Sequence, residues 1–110
     1  MFSAEIKGDK NVIFSAMTTL SLVLYTAGNL PNSVQAVSNI KAMCAANFPD
    51  HHRIEIVDLL QDPQRGRVDG ILVTPTLMRV TPEPKQMIMG NLSDTARVLR
   101  ALTDPTTTQR

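Results

Sequence analysis

The sequence contains one cysteine, one tyrosine and no tryptophan in 110 residues. A single thiol cannot close an intrachain disulfide, and small secreted domains usually need several, so the cysteine count favours a reducing, cytoplasmic setting. Aromatic residues make up 4% of the chain, which is too few for the base-stacking platforms of nucleic-acid binders. These scarcities argue against a disulfide scaffold and against nucleic acid as a partner.

Strong charge of one sign and long apolar runs are absent as well. The formal net charge is +1 at pH 7, so no strong field draws the chain toward nucleic acid or an anionic membrane. The stretch before residue 18 carries Glu5 and Asp9, and its longest apolar run is far shorter than a signal-peptide core or a membrane span. We therefore expect neither a targeting segment nor a membrane anchor.

The length and composition indicate one folded domain. The chain has room for a single compact core, and its content of 43% hydrophobic and 19% charged residues is ordinary for a globular protein. We predict an N-terminal extension over residues 1–17, the domain over residues 18–103, and a flexible polar tail over residues 104–110.

The first half predicts a strand, a helix and a second strand. Residues 20–26 place apolar groups on both faces, which is typical of a central strand. Residues 52–60 alternate with a more polar face, which indicates an edge strand. A helix over residues 33–48 joins them, so the two strands should lie parallel. Its apolar stripe recurs every three or four residues, at Val34, Val37, Ile40, Cys44 and Phe48.

The second half begins with a weak helix and a hairpin. Asp62 and Pro63 can start a short helix that reaches Asp69, although two glycines weaken it. A proline-rich polar connection separates the predicted strands over residues 76–80 and 86–89, which is typical of a hairpin.

The chain ends in a predicted helix over residues 92–102, with Asn91 or Ser93 as its cap. Its apolar positions are Leu92, Ala96, Leu99 and Leu102. The element order is therefore βαβαββα, which is the order of an α/β domain with a thioredoxin-like fold.

Thr74, Pro75 and Thr76 come directly before the first hairpin strand. Thioredoxin-like folds place a cis-proline at this point, where it faces the end of the first strand. The alternative is a trans-proline that only starts a strand, since about 5–6% of X-Pro bonds are cis. The topology favours a cis bond at Pro75.

No residue cluster predicts catalysis. A thiol enzyme of this fold needs cysteines in the loop before the first helix, where the helix N-terminus lowers the thiol pKa. Residues 28–32 contain none, and Cys44 lies on the apolar stripe, so we predict that it is inert. His51 and His52 are adjacent, so on a strand they would point to opposite faces and could not bind one metal from the same side, and a surface turn explains them better. We expect no enzymatic activity, no metal and no cofactor.

Four arginines in the second half are candidates for a binding patch: Arg53, Arg65, Arg67 and Arg79. One interpretation is solvated charge that keeps the surface soluble. The other is a patch that meets an acidic surface of a partner.

Four motifs in fixed order resemble the KaiB family. They are LYTAGNLPNS at residues 24–33, VDLLQDPQ at residues 57–64, ILVTPTL at residues 71–77 and IMGNLS at residues 88–93. The resemblance implies a non-enzymatic, cytoplasmic regulator that binds the hexameric ATPase KaiC and modulates its phosphorylation cycle and output signalling. It also implies KaiA or a sensor histidine kinase as further partners.

Members of this family are metamorphic, so the resemblance implies two folds. The resting form is a homotetramer, or a dimer, with a βαββααβ arrangement, and the binding form is a thioredoxin-like monomer. Gly90 and Asn91 match the fold-switch hinge, where the family usually has Gly-Asp.

The resemblance also implies a partner surface at Gln61, Asp62, Arg65, Arg67 and Gly70. Gln61 and Gly70 stand where clock-type KaiB proteins usually carry lysines used against KaiC, while Arg65 and Arg67 supply replacement charge. The acidic tail of many relatives is absent, which indicates a divergent member serving a non-standard KaiC. Two alternatives stay open: a stress-response adaptor that holds a sensor kinase through the same fold, and a thioredoxin-type thiol enzyme.

Overall fold

A computed structural model describes residues 19–103, so the predicted extension and tail lie outside the described residues. The elements are β1 Leu20–Thr26, α1 Pro31–Asn47, β2 His52–Asp58, α2 Pro63–Asp69, β3 Thr76–Thr81, β4 Gln86–Met89 and α3 Thr95–Thr103. This order confirms the predicted βαβαββα arrangement. No described helix has both the length and the apolar character needed to cross a bilayer.

The four strands form one sheet in the order β2-β1-β3-β4. β1 runs parallel to β2, with Leu20 opposite His52 and Thr26 opposite Asp58. β1 is antiparallel to β3, and β3 is antiparallel to β4. As predicted, β1 is central and β2 lies at an edge.

The larger core lies between the sheet and the helices α1 and α3. Every second residue of β1 faces these helices, because side chains alternate along a strand. The buried members are Leu20, Leu22, Leu24, Ala36, Ile40, Met43, Cys44, Leu77, Ile88, Leu92, Val98 and Leu102. Burying a large aliphatic side chain contributes roughly 1.5–3 kcal/mol, and most of the buried apolar side chains of residues 19–103 lie in this layer.

The buried stripe of α1 differs from the prediction at Val34, which is 52% exposed. The helix instead buries the side that carries Ser33, Ala36 and Met43. The Ser33 hydroxyl accepts a hydrogen bond from the Ala27 N–H at 3.1 Å. This contact turns the first helical turn toward the preceding loop and moves Val34 out to solvent.

α3 begins at Thr95, three residues later than predicted. The Asp94 carboxylate accepts a hydrogen bond from the Arg97 N–H at 3.2 Å. Asp94 is therefore the cap, and neither Asn91 nor Ser93 has that role.

The apolar positions predicted for α3 were right at Leu102 and wrong at Ala96, which is exposed. Val98 is fully buried in its place. Leu92 is buried too, but it has a positive φ of 65° and lies outside the helix. Within α3 the buried positions are therefore Val98 and Leu102, which lie four residues apart on one face.

A second, smaller cluster lies on the opposite face of the sheet, under α2. It consists of Val23, Tyr25, Val57 and Met78, with Leu59, Ile71 and Val80 packed at its border. α2 has seven residues and ends at Gly70, whose left-handed backbone has φ of 73°. A glycine at this position ends a helix without steric cost.

Candidate partner-binding site

The loop between β1 and α1, where a thiol enzyme would carry cysteines, binds the carboxylate of Asp58, the last residue of β2. Asp58 Oδ1 accepts hydrogen bonds from the Gly28 N–H at 2.9 Å and from the Leu60 N–H at 3.0 Å. Gly28 has φ of 57°, and a Cβ there would lie 2.9 Å from the side chain of Leu60. The carboxylate of Asp58 therefore ties this loop to the turn after β2 and uses the N–H donor of Gly28.

Cys44 is fully buried in the larger core. Burial raises the pKa of its thiol to about 11. The thiolate is the reactive form of cysteine, so this side chain packs as a small apolar residue, as predicted.

The two adjacent histidines do not form a metal site. His52 Nδ1 lies 2.7 Å from the carbonyl oxygen of Phe48, and His51 is exposed. Within residues 19–103, no three His, Cys, Asp or Glu side chains are placed to hold one metal ion.

Pro75 lies at the inner edge of the hairpin. The Thr74–Pro75 peptide bond is cis, and the ring is buried. The Pro75 carbonyl accepts a hydrogen bond from the Gly90 N–H at 3.0 Å. Pro75 therefore connects the start of β3 with the end of β4.

The residues implied as a partner surface all lie on α2 or at its two ends: Gln61, Asp62, Arg65, Arg67 and Gly70. The N–H groups of Gln61 and Asp62 both donate to the carbonyl of Asp58 at 2.9 Å, which fixes the turn into the helix. All of the set except Arg65 are exposed. The fold thus brings these positions together on one short segment.

Arg65 is held by two acidic neighbours. Its Nη1 and Nη2 donate to the two carboxylate oxygens of Glu55 at 2.9 and 3.3 Å, and its Nε donates to Asp69 Oδ2 at 3.4 Å. The hydrogen bonds from Arg65 hold the pKa of Glu55 below its usual range. Arg65 therefore links α2 to the edge strand β2, with its charge largely balanced.

Tyr25, on the central strand β1, is hydrogen bonded to Asp69 at the end of α2. It is 1% exposed, and its hydroxyl donates to Asp69 Oδ2 at 2.5 Å. Burial, with the hydrogen bond and charge of Asp69, raises the pKa of Tyr25 to about 12. The Tyr25 hydroxyl in turn lowers the pKa of Asp69. The position of α2 is thus fixed at both β1 and β2.

Arg67 is the exposed cation of α2, and no ion pair to it is found among residues 19–103. Arg53 is exposed on β2. Arg79 is not part of a surface patch, because it is fully buried beneath α3. The interpretation of four arginines as one patch is therefore wrong for Arg79.

Arg79 instead holds the end of the chain that the structure describes. Its Nη1 donates to the carbonyls of Ala101 and Leu102 at 2.9 and 3.2 Å, and its Nη2 donates to that of Pro84 at 2.8 Å. A cation at a helix C-terminus is favoured by the helix dipole. Arg79 and Leu77 are two residues apart on β3, so their side chains lie on the same face of the sheet, which is the face of the larger core.

The proposed hinge residues contact α1. Gly90 has φ of 113°. The Asn91 side chain donates to Gln35 Oε1 at 2.9 Å and accepts from the Ser93 N–H at 3.0 Å, while Asn39 donates to the Asn91 carbonyl at 2.8 Å. In this fold the segment between β4 and α3 is therefore tied to the first helix.

The sequence analysis did not predict a group of exposed apolar side chains, which we call the apolar rim. Its members are Leu30, Leu60, Leu72 and Val73. All four side chains are exposed, and Leu72 is 95% exposed. They lie in the loops after β1, after β2 and before β3, which meet at one end of the sheet because β3 is antiparallel to the other two strands. Exposed apolar groups that cluster in this way mark interaction sites. The rim borders both ends of α2.

Comparison with known proteins identifies the chain's relatives. The KaiB domain model matches residues 23–103. The circadian clock protein KaiB3 of Synechocystis sp. is 42% identical over 86 residues, which are 78% of this chain and 84% of that protein.

Two solved structures share the fold. The N-terminal domain of SasA from Synechococcus elongatus has a TM-score of 0.66 at 19% identity, with 99% of this chain and 98% of that chain covered. The thioredoxin Deadhead of Drosophila melanogaster has a TM-score of 0.64 at 13% identity, with 84% and 89% covered. The α/β domain is thus thioredoxin-like, as predicted, and at such identities the likeness concerns the fold alone.

The family match covers residues 23–103, and a clock protein is 42% identical to this chain. Both findings agree with a thioredoxin-like fold that has no cysteine in the loop after β1. The chain belongs to the KaiB family.

Proposed function

We propose that this chain is a non-enzymatic, cytoplasmic clock-type regulator that binds a KaiC-type ATPase hexamer and modulates its phosphorylation cycle and output signalling. The observation that carries the proposal is the family match over residues 23–103. The fully buried Cys44 and the cysteine-free loop after β1 support a binding role over thiol chemistry. KaiA or a sensor histidine kinase is proposed as a further partner.

The proposed contact surface is α2 with its two flanking turns and the apolar rim. The exposed charge of Arg67 gives this surface a cation for an acidic partner, while Gln61, Asp62 and Gly70 place polar groups and accessible backbone around it. Arg65 acts mainly by holding α2 through Glu55 and Asp69. Interfaces of this kind combine an apolar centre with a polar border.

The proposed resting form is a homotetramer, or a dimer, with the βαββααβ arrangement, and the thioredoxin-like monomer is the form that binds. Gly90 and Asn91 would be the hinge between them. Two packings of one sequence coexist only when they differ by a few kcal/mol. The seven-residue α2 and the irregular connection over residues 70–75 leave little local structure to decide between the two packings, which supports this proposal.

The test is the binding rate and affinity for an immobilised KaiC-type hexamer, compared between Arg67→Glu and Arg97→Glu. Both residues are exposed arginines on helices, and only Arg67 lies on α2. Reversal of a charge in an interface should weaken binding about tenfold or more, whereas Arg97→Glu should bind as the wild type does. Equal effects of the two variants would contradict the proposed surface.

A pull-down from lysate separates the main proposal from the adaptor alternative. Recovery of a KaiC-type ATPase that is lost with Arg67→Glu supports the clock role. Recovery of a sensor histidine kinase without any KaiC-type ATPase would contradict it and favour the adaptor.

A further inference from the structure

Three of the six methionines of the chain lie in one hairpin. Met78 is on β3, and Met87 and Met89 are on β4. Met78 is directly opposite Met87 in the antiparallel pairing. Because side chains alternate along a strand, Met87 and Met89 point to the same face of the sheet, which is also the face of Met78. The hairpin therefore carries three thioether sulfurs at neighbouring positions on one face.

This face of the sheet is the one opposite α1 and α3. Met78 belongs to the smaller cluster under α2, whereas Ile88, between the two methionines of β4, belongs to the larger core. Met78 is 6% exposed, Met87 is 44% exposed and Met89 is 56% exposed. β4 is the outer strand of the sheet. The three side chains thus extend from the covered part of the sheet to its open edge.

The spacing of the three positions allows their sulfurs to converge. Directly opposite residues on antiparallel strands have Cβ atoms about 5 Å apart, and diagonal neighbours such as Met78 and Met89 are about 7 Å apart. Met87 and Met89 are about 7 Å apart along β4. A methionine side chain is unbranched and has three rotatable bonds. Each sulfur can therefore turn toward a point between the three residues.

A groove of about 370 Å³ beside α2 leads to this point. Met78 and Met87 both line the groove, next to Val23 and Val80. A single ion needs only a small part of this volume. The groove thus gives a small ligand access to Met78, although little of that side chain is exposed.

The charged groups around the groove balance one another. Arg65 forms ion pairs with Glu55 and Asp69, and Lys85 lines the same groove as Asp69. These two cations and two carboxylates have a net charge of zero. Charge therefore does not select a ligand for this groove, and the choice rests with the three thioethers.

We propose that Met78, Met87 and Met89 form a binding site for Cu(I), a soft monovalent cation. Thioether sulfur is a soft ligand that selects Cu(I), whereas Ca²⁺ and Mg²⁺ need oxygen ligands. The bound ion links β3 to β4 at the edge of the sheet. The sequence analysis predicted no metal, because it considered histidine, cysteine and carboxylate ligands and only the strand register brings the methionines together. The inference is independent of the proposed function.

The test is a titration of the full chain, labelled with ¹³C in its methionine methyl groups, with Ag(I), which is soft, monovalent and stable in air. The methyl signals of Met78, Met87 and Met89 should shift together until the site is saturated, while that of Met43 on the opposite face stays unchanged. Zn²⁺, which takes nitrogen, thiolate and carboxylate ligands, should shift none of the three. Cu(I), kept reduced by ascorbate without oxygen, should shift the same signals as Ag(I).

A matched pair of variants checks the ligands. Met87→Leu should weaken Ag(I) binding about tenfold or more, since even outer partners of a metal site contribute this much to affinity. Met43→Leu, the same change in the larger core, should leave the affinity unchanged. Both substitutions nearly conserve volume, so both variants should fold. Binding to the folded state raises Tm, so Ag(I) should raise the Tm of the wild type and of Met43→Leu more than that of Met87→Leu.

Cys44→Ala removes the thiol, which is the other soft ligand of the described residues. Because Cys44 is fully buried, this variant should bind Ag(I) as the wild type does. Loss of binding in Cys44→Ala would assign the ion to the thiol and overturn the proposal. Equal affinity of Met87→Leu and the wild type, equal shifts at Met43, or shifts with Ag(I) but none with Cu(I) would overturn it too.

Discussion

Arg79 carries a positive charge into the interior of the domain, where it is fully buried. The cost of removing a charge from water is large unless the charge is hydrogen bonded. Three carbonyls, from Pro84, Ala101 and Leu102, accept hydrogen bonds from its guanidinium. One side chain therefore joins β3, the hairpin connection and the end of α3.

Replacement of Arg79 by methionine should lower the free energy of unfolding by roughly 2–4 kcal/mol, because buried carbonyls lose their donors. Arg100→Met, at an exposed position of α3, should change it by less than about 0.5 kcal/mol. Urea unfolding of the two variants measures the difference. Equal midpoints would show that Arg79 is not a structural link.

Tyr25 is the single tyrosine of a chain without tryptophan, so the absorbance of its phenolate can be followed without overlap. Its pKa of about 12 in the folded protein lies above the usual pKa of a tyrosine, about 10. The raised pKa adds stability that is complete below pH 10 and is lost as pH rises through about 12. We expect titration of the folded protein at about pH 12.

Asp69→Asn should lower this midpoint part of the way toward 10.0, because burial is the larger cause and remains. Asp50→Asn, at an exposed position, is the control and should leave the midpoint unchanged. A wild-type midpoint near 10.0 in protein that is still folded by circular dichroism would contradict the buried contact of Tyr25 with α2.

At the scale of elements, strand periodicity and turn residues predicted all seven elements in their order. The prediction was accurate where one feature decides the structure, as in β1, whose alternation places Leu22 and Val23 in different clusters. It was wrong where side-chain contacts compete. The hydroxyl of Ser33 rotated α1, and the carboxylate of Asp94 moved the start of α3.

The connection between β4 and α3 contains the proposed hinge, Gly90 and Asn91. Asn91→Ala removes the side-chain hydrogen bonds to Gln35 and to the Ser93 N–H. We expect a loss of about 1–2 kcal/mol in the stability of this fold. The exposed helical residue Asn32 provides the control variant, Asn32→Ala.

The proposed resting oligomer would gain population in Asn91→Ala, because the thioredoxin-like form loses the hydrogen bonds of Asn91 to Gln35 and Ser93. Light scattering over a dilution series reads the masses, because dilution favours the monomer. An unchanged mass distribution and an unchanged unfolding midpoint would remove the role of Asn91 as a hinge.

At the scale of the whole molecule, the sequence located the α2 segment but not the surface around it. Arg65 and Arg67 look alike in the sequence, and only the fold shows that Arg65 is bound by Glu55 and Asp69 while Arg67 is exposed. The apolar rim could not be predicted, because Leu30 and Leu72 are 42 residues apart and only the sheet topology places their loops at the same end of the sheet.

The two faces of the sheet differ in how much of the core they bury. α1 and α3 bury the larger core, and the short α2 lies over the smaller cluster and carries the proposed partner surface. A short helix fixed by Tyr25 and Arg65 can present side chains in a defined geometry without adding to the core. This division of roles suits a protein that acts by binding.

The central claim is that this chain binds a KaiC-type hexamer. Its most direct test is the mass of the complex after the two proteins have been mixed for a day, measured by light scattering during size-exclusion chromatography. The account predicts a slowly formed species heavier than the hexamer that contains both chains, and its loss with Arg67→Glu. Separate elution of the hexamer and of this chain after a day would contradict the account.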